Sequence, residues 1–157
     1  MTPREMKLTL EKMREYFNRS TRPLREEDSG FAPAEGTFTV AGHVAHVAQT
    51  IEWFFDAAFS NEWRMDFEAM EQQARSAASL AEARAWLDKA VDKAICVVEA
   101  HTAEQWASCF PPNPIMGEIP RVSIVGAVTD HTAHHRGALT VYQRLLGLTP
   151  PMPYGEM

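Results

Sequence analysis

Apolar residues recur every three or four positions along four long stretches of this chain, and nowhere do they alternate with polar residues over a strand's length. That spacing matches the turn of an α-helix, about 3.6 residues, so each stretch carries one apolar stripe that must be buried against another. In the first stretch Thr2, Pro3 and Glu5 read as an N-cap, a first-turn proline and a capping-box acid, followed by Met6, Leu10, Met13 and Phe17. From Ser20 to Thr37 proline, glycine and charge replace the periodicity, which predicts a long crossover loop. The second stretch places Val40, Val44, Val47, Ile51, Phe54 and Ala58 on one face behind Thr39 as cap. A third runs from the Ser79/Glu82 capping box through Leu80, Leu87, Val91, Ile95 and Val98 to about His101. The fourth begins at Val122 and carries Ile124, Val128, His131, His135, Leu139, Tyr142 and Leu146 before Gly147 and the prolines at 150, 151 and 153 stop it.

Four such helices predict an all-α four-helix bundle, and 157 residues suit one domain spanning 1–157. TAEQWA is expected to form a short helical turn before the proline-rich PPNPIMGEIPR, and residues 60–78, without a clean stripe, read as a partly helical excursion or a lid. A 45% apolar and 23% charged composition can bury a sizeable core. The formal charge of -6 opposes attraction to nucleic acid or anionic lipid, and no apolar run approaches a membrane span, so the expected location is the cytoplasm. Cys96 and Cys109 stand alone and read as reduced thiols.

The chemistry is concentrated in DHTAHHRG, residues 130–137. His131 and His135 lie one turn apart, roughly 40° round the helix, on the face of Val128, Leu139 and Tyr142, so both rings can leave the same side and grip one ion. His134 lies roughly 100° away from His135 and cannot readily join them. On the second helix His43 and His46 share a flank beside the apolar stripe, and periodicity does not choose between them as a third donor. Three neutral imidazoles would leave a divalent ion its full charge and an open position, the arrangement of a catalytic rather than a structural site. An ordinary core would instead pair the rings with each other, with a backbone carbonyl or with Asp130. HExxH, the ExxH of di-iron bundles, a phosphate loop and a GxSxG elbow are all absent from the sequence.

The two stretches GHVAHVAQTIEWF and DHTAHHRGALTVYQRLLGLTPPMPYG together resemble the DinB-like, YfiT-like metal-binding bundles. The resemblance implies an up-down-down-up topology and one divalent ion, nickel or zinc, held by His46, which sits between apolar residues in VAHV, and by the pair His131 and His135. It leaves His43, Glu52, Asp130, His134, Arg136 and Tyr142 as residues that could support the ligands or face a substrate. Arg136 would then meet a carboxylate, and Gly137 would allow close helix packing. Ala138 stands where the family commonly has glutamine. The implied activity is a metal-dependent thiol S-transferase or hydrolase, using a metal-bound thiolate or water on a small-molecule substrate, with a low-molecular-weight thiol as a candidate partner. A non-catalytic metal-binding stress-response or interaction bundle is the alternative. Relatives commonly form homodimers, for which Trp53, Trp63, Phe67 and Trp86 offer apolar surface.

Overall fold

The computed structural model describes residues 1–155. Its helices are α1 (Pro3–Thr21), α2 (Val40–Ser60), α3 (Phe67–Arg75), α4 (Leu80–Glu99), α5 (Ala103–Ala107) and α6 (Ser123–Leu145), with a single 3-10 turn at Glu26–Asp28 in the loop after α1. The caps follow from the sequence. Thr2 accepts from the Glu5 N–H while Glu5 takes the Thr2 N–H at 2.7 Å, and the hydroxyls of Thr39 and Ser79 cap α2 and α4. Gly147, at φ 77°, lets the chain leave α6 by a left-handed turn in which the Leu148 N–H donates to the Gln143 carbonyl at 2.8 Å.

The four long helices form a ring in the order α1, α4, α2, α6, so that α1 and α2 lie diagonally opposite. Pairings along the helices fix their directions. Lys7 meets Glu99 and Arg14 meets Asp92, so α1 and α4 are antiparallel. Glu52 meets Trp86 and Asp56 meets Lys93, so α2 and α4 are parallel. His43 faces His135 and His46 faces His131, so α2 and α6 are antiparallel. The result is an up-down-down-up bundle.

The diagonal step explains the long loop between α1 and α2, which is tied down on its way. Ser29, 5% exposed, accepts the Leu80 N–H at 2.9 Å, and Glu26 accepts the Ala81 N–H at 2.8 Å, so this loop satisfies the free amides at the start of α4. Leu10, Phe17, Val44, Ile51, Leu87, Val91, Ile124 and Leu139 fill the centre of the ring, and α5 inserts Trp106, whose indole donates to the Val98 carbonyl at 3.3 Å.

The open segment 60–78 contains α3, which lies along α2. Only Met70 and Ala74 of this helix are buried, too few to show as a stripe in the sequence. Arg75 ties it to the loop before α2, donating to the carbonyls of Gly36 and Thr37 and covering the Phe38 ring at 4.6 Å. Gly137 departs from expectation: a Cβ built there meets nothing within 4 Å, so close packing is not its reason. Both cysteines are free and exposed, and no described helix is long and apolar enough to cross a membrane.

Candidate metal centre

His46 enters from the second turn of α2, and His131 and His135 enter from successive turns of the antiparallel α6. Their Nε2 atoms converge. His131 Nε2 lies 3.2 Å from His46 Nε2 and 3.1 Å from His135 Nε2, and one ligand atom from each ring falls within 4.8 Å of the others. Metal–nitrogen bonds of about 2.0–2.1 Å separate two donors by roughly 2.9 Å at a right angle and roughly 3.4 Å at a tetrahedral angle, so the observed spacings lie between the two.

A hydrogen-bond relay sets the protons behind this cluster. The Tyr142 hydroxyl donates its one hydrogen to the Phe38 carbonyl at 3.0 Å, so at 3.1 Å it can only accept from His43 Nε2–H. Neutral His43 then has a bare Nδ1, which accepts from His135 Nδ1–H at 2.9 Å. His135 is therefore left with its Nε2 lone pair directed at the cluster. This is the usual arrangement behind a ligating histidine, whose second nitrogen is held by an acceptor.

That proton count tests the fit of an ion. With His135 Nε2 bare, the two nitrogen contacts of His131 can both be bonded only if one His131 Nε2–H is shared, bent, between two neighbours. A cation at the centre takes all three lone pairs, and the donor set fits it. Phe38 stacks on His46 at 5.0 Å between ring centres and holds that ring from outside.

Electrostatics favour the same state. Burial pushes His43 and His131 down to about 4, and burial together with the neighbouring imidazoles pushes His135 down to about 2. His46 is lowered by burial too, against a raising influence from Glu71. Near neutral pH all four rings are uncharged.

The other candidates divide. His43, 7% exposed, and Tyr142, 6% exposed, belong to the relay. His134 is exposed, its ring edge to face with that of His135 at 5.0 Å. Asp130 is exposed and makes no hydrogen bond to a histidine among the described residues. The Glu52 carboxylate accepts from the Trp86 indole of α4 at 2.9 Å and makes no hydrogen bond to a histidine among the described residues. Arg136 meets no carboxylate among the described residues; it donates to the Tyr154 hydroxyl at 3.3 Å and lies over that ring. Of the four aromatics offered for an interface, Trp53, Trp63 and Phe67 pack edge to face around Trp53, and only Phe67 is largely exposed. Phe38 was not singled out from the sequence. It lies just before the Thr39 cap, and besides its ring, stacked on His46, it supplies a backbone carbonyl that any residue would offer.

No functionally curated protein matches the sequence. Among solved structures, the fold is similar to the DinB-like protein YjoA from Bacillus subtilis, with a TM-score of 0.71 and 17% identity over 98% of this chain and 99% of that one. It is similar to YfiT from Bacillus subtilis, with a TM-score of 0.71 and 18% identity over 94% of this chain and 89% of that one. A mycothiol-dependent maleylpyruvate isomerase also aligns, with a TM-score of 0.71 and 14% identity over 88% of this chain, which spans only 61% of that enzyme. At these identities the likeness establishes the fold alone. The sequence profile of the DinB superfamily matches residues 9–139, most of the chain, and the protein therefore belongs to the DinB superfamily.

Proposed function

We propose that this protein is a divalent-metal-dependent enzyme in which His46, His131 and His135 hold one nickel or zinc ion and a water or low-molecular-weight thiol is the nucleophile. The observation that carries this reading is the convergence of three Nε2 atoms, of which that of His135 is backed by the Tyr142–His43 relay. Held by three neutral nitrogens, such an ion would keep its full double charge and would lower the pKa of a water or thiol bound to it. The relay holds the His135 Nδ1 proton in place, and the Phe38 ring shields His46 from water. Two structural neighbours give the reading its classes: YfiT is described as a probable metal-dependent hydrolase, and the isomerase is mycothiol-dependent.

Elemental analysis of untagged protein tests the metal, and a screen of small thiols against epoxide, chloroaromatic and ester acceptors tests the reaction. Turnover should disappear on chelation and return with nickel or zinc. The variants His46→Ala, His131→Ala and His135→Ala should each lose most of the metal, whereas His134→Ala keeps it. Stoichiometric metal without turnover across the screen would instead mark a non-catalytic metal-binding bundle.

A further inference from the structure

While His131 and His135 point towards α2, another face of α6 closes a cavity of about 340 Å³ against α1 and the C-terminal tail. Met13, almost fully buried, and Tyr16 and Tyr154, packed edge to face at 5.2 Å between ring centres, give it carbon-rich walls. Ligand cavities of this kind start at about 300 Å³ and join apolar walls to a few placed polar groups.

Lys12 and Arg136 also line the cavity, no acidic side chain does, and neither cation pairs with a carboxylate among the described residues. Two cations without a carboxylate partner among the described residues, set beside aromatic walls, favour a ligand that is itself negative and flat.

We infer that this cavity, independently of the metal centre, binds a small aromatic carboxylate: Arg136 and Lys12 take the carboxylate and the tyrosines the ring.

The probe is 4-hydroxybenzoate, titrated into the full-length protein as purified and again after chelation, by calorimetry and by amide chemical-shift mapping. Saturable binding is expected in both samples, with shifts centred on α1 and α6. Arg136→Gln should weaken it about tenfold or more, the uncharged 4-hydroxybenzamide should bind about tenfold less tightly, and His135→Ala should bind as the parent does. Lys12→Gln, which alters only an exposed side chain, should weaken binding even if Arg136→Gln proves unstable. The inference fails if binding does not saturate, if acid and amide bind equally, if Lys12→Gln leaves the affinity unchanged, or if His135→Ala or chelation abolishes binding.

Discussion

Removing the Tyr142 hydroxyl tests the relay that sets the His135 proton. Tyr142→Phe keeps the ring, including its edge-to-face contacts with Phe31 at 5.8 Å and His43 at 5.0 Å, and deletes one oxygen that joins two hydrogen bonds. The Phe38 carbonyl and the His43 N–H lose their partner, and each such loss in a buried place costs about 1–3 kcal/mol before water or relaxation recovers part of it. A net destabilisation of about 2 kcal/mol is expected. The second effect is on the metal. Without Tyr142, nothing forces the His43 proton onto Nε2, so His43 can present Nδ1–H to His135, whose own proton then moves to Nε2 and blocks the lone pair. Losing a preference worth about one neutral hydrogen bond, and the orientation it gives, should weaken zinc binding roughly tenfold, the low end for loss of a group supporting a ligand histidine. Competition with a chromophoric chelator measures the affinity, and urea unfolding of the metal-free protein measures the stability. Ser29→Ala serves as a control for destabilisation, since Ser29 caps α4 away from the histidines. If Tyr142→Phe bound zinc as tightly as the parent despite its lower stability, the proton assignment at His135 would be refuted.

Ser29→Ala itself should cost about 1–2 kcal/mol in urea unfolding, because the buried Leu80 N–H loses its acceptor. Gly137→Ala should do the opposite: an added methyl meets nothing within 4 Å, so the thermal midpoint should rise by the equivalent of about 1 kcal/mol, and a fall would show an unrecognised contact at that site. The metal-free protein should be sensitive to acid. Its histidines are held below the ordinary value of 6.5, to about 4 for His43 and His131, so between those values the unfolded chain takes up protons that the folded chain does not. Stability should therefore fall as pH drops from about 6.5 towards about 4, by at most about 1.4 kcal/mol per pH unit for each ring and less where solvent screens the site. Unfolding curves collected across that range would check it, a flat profile being the contrary result.

The helices and the HxxxH pair were legible in the sequence because both are periodic. Leu10, Ile51, Leu87 and Leu139 each recur on their own stripe, and His131 and His135 share a face by spacing alone. Other features depend on what lies opposite. His43 and His46 occupy one flank of α2, and their different parts follow from the register of α6: His46 meets His131 while His43 meets the back of His135. Glu52 has the sequence surroundings of a supporting acid, yet Trp86 of α4 claims it. Phe38 left no signal because it contributes a carbonyl as well as a ring. The segment 60–78 reads as partly helical, but the bounds of α3 escaped because two buried residues make no period.

The ring order has a consequence for synthesis. Since α2 reaches α6 only after α3, α4 and α5 have been made, the nitrogen donors of His46 and His131 are 85 positions apart along the chain. A chain still emerging from the ribosome cannot bring these two faces together until α6 has been made. On the proposed metal reading, an ion would therefore be held only after α6 has left the ribosome and packed against α2.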